Sequence, residues 1–284
     1  MTPPAQTVQR RTAKRFMHET GMLRDLLEFV RNPYPWHLAA MGYVREVSGI
    51  ADRARALAPA WREHLDRTRR AISTSAEASR GRGSVLVDGS GNLLDVPLDC
   101  LCARFGRVVL LDIVHSRQVR KAVSDRSNVE LLSADVTGVA HAVYRAARSR
   151  DVSVLPRSVP PDLDGRQFDL IISVNILSQL GVTPCRYLKA HCPAIPPKRL
   201  HMLSRDLIET HLAWIRGRAP QSCLITDVRR AEHVTGGTSV ETDILEGLAL
   251  PEPDETWDWQ IAPLNSVYPD REVVHCVHAF HDLR

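Results

Sequence analysis

The chain has 284 residues, of which 44% are apolar and 25% charged, and its formal net charge is +4. This composition is that of an ordinary globular protein with one large domain, or a domain with an appendage. It contains no apolar run of the roughly 20 residues that span a bilayer, so we expect no membrane association. The small net charge gives no reason to expect a nucleic-acid partner. The six cysteines have no CxxC or zinc-like spacing, which predicts free thiols, no bound metal and a reducing, cytoplasmic location.

The first part of the chain, residues 1–80, is predicted to form an N-terminal helical cap. Residues 15–31 carry apolar side chains at helical spacing, and the two prolines of NPYPWH end that pattern. A second helical pattern runs from about residue 37 to 72 and places an apolar stripe, residues 38–50, on one face. Such a stripe needs a partner. The helices either close over a site, or present a face for a homodimer or another protein.

After a small-residue link at 75–83 the pattern changes, within a predicted domain of residues 81–284. Five short runs, nearly continuous in Val, Ile and Leu, alternate with helical stretches and are typical of buried parallel strands: SVLVDG, RVVLLDIV, VELLSAD, FDLIISVN and SCLITDV. Two further strands, around Trp257–Ile261 and Glu272–Phe280, have no helical pattern between them. We therefore predict an α/β fold, a seven-stranded, mostly parallel, doubly wound sheet that ends in a C-terminal antiparallel hairpin.

Ligands of such sheets bind beyond the carboxyl ends of the strands. The first strand is followed by Asp88 and a turn with two glycines, Gly89 and Gly91, where a ligand can approach the backbone closely. The second strand ends at Asp112, 21 residues beyond Gly91, which is a suitable spacing for an acid that binds ribose hydroxyls. Asp135 follows the third strand, where a carboxylate could accept a hydrogen bond from an adenine amino group.

The two later strands end in polar residues as well. Ser173 and Asn175 belong to SVNILSQL after the fourth strand, and Asp227 follows the fifth, before a loop that contains His233. Candidate general bases are His115, directly after the ribose acid, His233 and Asp227. Asn175 could orient an acceptor by hydrogen bonding.

The ordered set of glycine turn, two acids, polar loop and terminal hairpin resembles the class I S-adenosylmethionine-dependent methyltransferases. This resemblance implies that the Asp88–Gly91 turn lies near the methionine part of the cofactor. It implies further that Asp112 binds the ribose, that Asp135 lies on the adenine side, and that Ser173–Asn175 lie beside the transferable methyl group. The cofactor implied is S-adenosylmethionine, and the acceptor implied is a small molecule.

The glycine turn departs from the family's acid-x-Gly-x-Gly-x-Gly pattern. Val87 occupies the acid position, with the acid shifted by one residue, and Leu93 occupies the third glycine. The turn also fails as a dinucleotide-binding GxGxxG, since its third position is Leu94, and this disfavours a nicotinamide-dependent oxidoreductase. The prediction is methyl transfer. The alternative is a catalytically inactive, methyltransferase-like binding or regulatory subunit.

The segment HCVHAFH near the C-terminus raises the question of a metal site. On a helix, His275, His278 and His281 would share a face. On the strand predicted here, His278 points to the opposite face from the other two. We therefore predict no metal site in this segment.

Overall fold

The computed structural model describes residues 34–283, so the helix predicted for residues 15–31 lies outside the described residues. The described chain alternates helices and strands around one central sheet. The helices are α1 Trp36–Met41, α2 Tyr43–Ala56, α3 Ala58–Ala78, α4 Leu98–Arg104, α5 Arg117–Val123, α6 Ala140–Ser149, α7 Val182–His191 and α8 Pro197–Arg216. The strands are β1 Ser84–Asp88, β2 Arg107–Asp112, β3 Val129–Ser133, β4 Leu170–Val174, β5 Ser222–Val234, β6 Ser239–Asp243, β7 Glu255–Ala262 and β8 Arg271–Phe280.

The sheet confirms the predicted fold class. Its strand order is β3-β2-β1-β4-β5-β8-β7, with β1 to β5 parallel and the last two strands antiparallel. The order reverses between β1 and β4, so the carboxyl ends of these strands face a crevice. The centres of β1, β2 and β4 are fully buried because helices cover both faces.

An eighth strand, β6, was not predicted. It pairs with an extension of β5 that reaches Val234, where the sequence predicts a loop. All five residues of β6 are exposed, so the strand carries no apolar pattern that would reveal it.

The predicted helical stretch at 37–72 is divided into three helices. Gly42, with φ 94°, ends α1 in the left-handed region, and its N–H binds the carbonyls of Leu38 and Ala39. Helix α2 ends at Ala56, Leu57 separates it from α3, and α3 begins with a proline in its first turn. Two interruptions, at Gly42 and Leu57, therefore divide the predicted stretch into separate helices.

The apolar stripe at 38–50 finds much of its partner within this chain. Leu38, Met41 and Val44 are buried in the same core cluster as residues of α6, including Ala140 and Val143. Ile50 at the end of the stripe is exposed. On the other face of the sheet, α3 contributes to a second core cluster. The helices before the sheet thus share its hydrophobic cores.

The described residues contain neither a helix suited to cross a membrane nor a disulfide bond. None of the helices within residues 34–283 is both long and apolar enough to cross a membrane. All six cysteines are free thiols, and Cys192 and Cys223 are buried.

Candidate functional site

A cavity of about 300 Å³ lies at the carboxyl ends of β1, β2, β4 and β5. Helices α2 and α3 and strand β7 close it from the other side. The sheet contributes Gly89, Gly91, Asp112, Asp135, Asn175 and Asp227 to its wall. The covering elements contribute Tyr43, Val47, Trp61, His64, Trp259 and Ile261.

The turn after β1 leaves no space for a side chain at its first glycine. At Gly89, with φ 80°, an added Cβ would lie 2.6 Å from the Val174 carbonyl oxygen and 2.8 Å from Ile176 Cβ. Gly91, with φ 50°, donates its N–H to Asp112 Oδ2 at 2.8 Å. The turn is therefore fastened to the end of β2, and position 89 has no room for a side chain.

The position of the missing third glycine keeps a glycine-like backbone. Leu93 has φ 59°, in the left-handed region, and its N–H binds the Ser90 carbonyl. The helix that would start here is displaced, because α4 begins only at Leu98. The intervening loop brings Asp95 into the cavity.

Asp112 and Asp135 both line the cavity, and both also accept hydrogen bonds from backbone N–H groups around it. Besides the bond from Gly91, Asp112 accepts a longer one from Val114 N at 3.4 Å on Oδ1. Burial raises the Asp112 pKa, against these backbone hydrogen bonds. Asp135 Oδ1 accepts from both N and Oγ1 of Thr137, and its Oδ2 accepts from Ala140 N at 2.8 Å. Each acid retains lone pairs that these bonds do not use.

Asp88 and Ser173 lie side by side on β1 and β4, but they do not line the cavity. Ser173 Oγ lies 3.0 Å from His211 Nε2, and Asp88 Oδ2 lies 3.3 Å from the same nitrogen. Burial, with the nearby charge of Asp112, raises the Asp88 pKa well above its usual range, and burial lowers that of His211 to about 4. Burial thus favours the uncharged form of each of these two neighbouring groups beneath the turn. Cofactor contacts of Asp88 and Ser173 remain predictions.

Asn175, directly after β4, has φ 52°, a region that asparagine tolerates better than most residues. Its Nδ2 donates to Asp95 Oδ2 at 2.7 Å and lies 3.4 Å from His64 Nε2. Its Oδ1 is buried without a hydrogen-bond partner. Burial raises the Asp95 pKa, although the hydrogen bond from Asn175 opposes that rise. Asn175 thus joins the end of β4 to the loop that carries Asp95, beside His64 of α3.

His64, on α3, is held between two tryptophans. Its ring stacks on Trp259 with the centroids 3.9 Å apart and an interplanar angle of 7°. Trp257 Nε1–H donates to His64 Nδ1 at 3.1 Å. Burial is the main reason why the His64 pKa falls to about 4. Because an indole N–H can only donate, the neutral imidazole carries its proton on Nε2.

Asp227, within β5, is 1% exposed and lines the cavity. Its Oδ2 lies 3.0 Å from His275 Nδ1 and 3.3 Å from Ser178 Oγ. Its Oδ1 is buried without a hydrogen-bond partner. One oxygen is thus tied to the protein and the other is left for a donor.

The two histidines predicted as bases lie off the cavity wall. His115 is fully buried, with Nδ1 3.0 Å from Ser133 Oγ and Nε2 3.4 Å from Ser90 Oγ. Burial lowers its pKa to about 4. His233 is exposed on the β5–β6 hairpin, where its Nδ1 lies 2.7 Å from Ser239 Oγ. The catalytic roles of both remain predictions.

Five residues in or beside the cavity were not predicted as site residues from the sequence: Trp61, His64, Asp95, Trp259 and His275. The i, i+3 spacing of Trp61 and His64 on one helix was the available signal for the first pair. In the HCVHAFH segment, His275 contacts Asp227 of the cavity wall. His281 lies elsewhere, with Nε2 3.3 Å from Glu255. Among residues 34–283, no group of three His, Cys, Asp or Glu side chains could hold a metal ion.

No protein-family model and no curated protein matches this chain. Solved structures match it at low identity. A DhpI–SAH complex is 16% identical, covering 81% of this chain and 93% of that one, with a TM-score of 0.37. The N-methyltransferase NodS from Bradyrhizobium japonicum WM9, in complex with S-adenosyl-L-homocysteine (SAH), is 13% identical, covering 76% and 87%, with a TM-score of 0.35. The 1,6-didemethyltoxoflavin-N1-methyltransferase of Burkholderia thailandensis is 9% identical, covering 82% and 89%, with a TM-score of 0.33. Similarities of this strength do not identify a function, which must come from the residues of the cavity.

Proposed function

We propose that the cavity binds S-adenosylmethionine and that this chain transfers its methyl group to a small-molecule acceptor. The observation that carries the proposal is the junction of the Gly89–Gly91 turn with Asp112. The turn offers bare backbone to the amino-acid end of the cofactor, and Asp112, with an oxygen bonded only weakly, accepts the ribose hydroxyls.

The remaining wall on that side suits the adenine. Ile113, Val136 and Leu180 provide apolar surface between the two acids. Asp135 Oδ2 accepts one bond, from Ala140, and retains a lone pair for an exocyclic amino group. Apolar surface beside a free carboxylate lone pair suits an adenine ring and its amino group.

When bound, the cofactor supplies a methyl group on a positively charged sulfur. The chain contributes the surroundings of that charge. Asp95, Asp112 and Asp227 line one small cavity, and carboxylates in a poorly solvated site favour a cationic ligand. Helices α2 and α3 cover the cavity, which helps to exclude water and suits a small acceptor.

Asn175 is the predicted site residue that this proposal places against the acceptor. It lines the inner part of the cavity, and its Oδ1 has no hydrogen-bond partner in the protein. It would orient the acceptor by accepting a hydrogen bond.

Calorimetric titration with S-adenosylmethionine and with SAH tests the proposal. We expect the wild-type protein to bind both at micromolar concentration and Asp112→Ala to lose affinity by about tenfold or more. Asp258→Ala, on the exposed side of β7, is the matched control and should bind like the wild type. Circular dichroism checks that each variant is folded. If folded wild-type protein binds neither compound, the proposal is wrong and the inactive, methyltransferase-like subunit becomes the better interpretation.

A further inference from the structure

The inner end of the cavity is formed by Trp61, His64, Asn175, Asp227 and Trp259. None of these five residues is proposed above to contact the ribose or the adenine of the cofactor. We propose that this inner end binds the methyl acceptor through an amine nitrogen, with Asp227 as the residue that receives it. This inference rests on the proposed function and names the acceptor's chemical class.

The unpaired oxygen of Asp227 is the first reason. Asp227 is only 1% exposed, and His275 and Ser178 contact only its Oδ2. A buried carboxylate oxygen without a donor is costly, so the ligand that fits here brings an N–H or O–H group. A protonated amine brings the charge as well as the donor.

The charges around this end are the second reason. Asp95 lines the same region, and Arg53 is the one arginine or lysine among the described residues of the cavity wall. Its guanidinium lies 4.0 Å from Glu46, two turns earlier on α2. An acceptor with a carboxylate or phosphate group would therefore lie beside Asp227 without an arginine or lysine to balance its negative charge.

The aromatic wall is the third reason. Trp61 and Trp259 meet edge to face with their centroids 5.0 Å apart, beside Ile261. His64 covers one face of Trp259, and the rest of this aromatic wall can pack against a flat, apolar body. The wall therefore suits an amine attached to an apolar or aromatic frame.

His64 leaves the proton-accepting role to Asp227. Its Nδ1 already accepts the Trp257 N–H, and its Nε2 carries the proton of the neutral ring. It offers a ligand a donor and no free lone pair. Asp227 Oδ1 is the unpaired basic atom at this end.

The chemistry balances with these groups. An ammonium R–NH₃⁺ gives one proton to Asp227 Oδ1, and the electron pair of that N–H bond stays on nitrogen. The nitrogen then bonds to the methyl carbon of the sulfonium donor as the C–S bond breaks and leaves its electron pair on sulfur. The products are R–NH₂⁺–CH₃ and a neutral thioether, and Asp227 returns its proton to solvent.

Intrinsic tryptophan fluorescence provides the test, because three tryptophans, Trp61, Trp257 and Trp259, surround this end. The probes are benzylamine, benzyl alcohol and benzoate, which share a ring and differ in the polar group. They are titrated with and without saturating SAH into the wild type, Asp227→Asn and the exposed control Asp258→Asn. We expect benzylamine to bind at least tenfold more tightly than either of the other probes. Asp227→Asn should reduce that preference to within threefold, and Asp258→Asn should preserve it.

The wild-type series alone can overturn the inference, so the folding of a variant does not decide it. Equal or weaker binding of benzylamine than of benzyl alcohol, or no saturable binding of benzylamine, overturns the amine site. If SAH binds in the same samples, the proposed function survives that result. Amine preference without SAH binding would support the amine site and overturn the proposed function.

Discussion

Asn175 Nδ2 donates to Asp95 Oδ2 at 2.7 Å, and this bond joins the end of β4 to the loop that displaces the start of α4. Both residues line the cavity. The loop that follows Leu93 therefore brings a carboxylate to the site. Asn175 achieves this contact in a left-handed conformation, with φ 52°.

Two substitutions at Asn175 separate its backbone from its hydrogen bond. Asn175→Gly keeps the left-handed backbone and leaves Asp95 unpaired, and we expect it to lower the free energy of unfolding by about 1–3 kcal/mol. Asn175→Ala loses the same bond but keeps a Cβ at φ 52° without the polar side chain that tolerates this region, and we expect it to lose about 1 kcal/mol more than Asn175→Gly. Urea unfolding measures both. Equal losses would mean that the conformation of Asn175 carries no strain.

Gly89→Ala should be more damaging than an ordinary substitution at a positive φ. The added Cβ would lie 2.6 Å from the Val174 carbonyl oxygen, so backbone must move in addition to the φ strain. We expect a loss of about 2–4 kcal/mol in unfolding free energy and weaker SAH binding.

Gly236→Ala is the matched control for this substitution. Gly236 has φ 70°, and nothing lies within 4 Å of an added Cβ on the β5–β6 hairpin. Only the φ strain of about 1 kcal/mol applies there. Chemical unfolding and calorimetry of the two variants should therefore differ. A Gly89→Ala protein as stable as Gly236→Ala would contradict the crowding seen at the turn.

Much of the fold could be predicted because buried parallel strands appear in the sequence as continuous apolar runs. Strands such as LIISV in β4 are fully buried. The fully exposed SVETD of β6 has no such signature, so the extension of β5 and the position of His233 could not be foreseen.

The candidate site was predictable only in part, for two physical reasons. The ends of parallel strands converge, which brings Asp112 and Asp227 to one cavity. Because β1 is buried on both faces, its sequence does not show which side chains its last residue will contact. Asp88 points away from the cavity toward His211. The contact of Trp257 with His64 joins residues 193 positions apart, which no local pattern reveals.

Trp61 should be a main anchor of α3 on the sheet. It is 3% exposed, its Nε1 donates to the Ile261 carbonyl at 3.1 Å, and its ring packs edge to face on Trp259. Trp61→Ala should cost about 3–5 kcal/mol of unfolding free energy through the cavity it creates. Trp61→Phe keeps an aromatic ring and loses the hydrogen bond, so we expect it to cost about 1–2 kcal/mol. Similar small losses in both variants, measured by urea unfolding, would show that α3 is not anchored there.

Asp88→Asn tests whether the acid beneath the turn is neutral. Burial raises the Asp88 pKa well above the usual 3.8, so the folded state holds a proton that the unfolded state has released. The stability that this proton contributes is present below the unfolded pKa and is lost as the pH rises toward the folded one. Asparagine does not titrate, so the unfolding free energy of Asp88→Asn minus that of the wild type should increase from pH 4 upward. Urea unfolding of both proteins at a series of pH values from 4 to 8 measures the difference, with the urea dependence checked to be the same in each. A constant difference, or one that falls with rising pH, would mean that Asp88 is ionised in the folded protein, beside His211 at 3.3 Å.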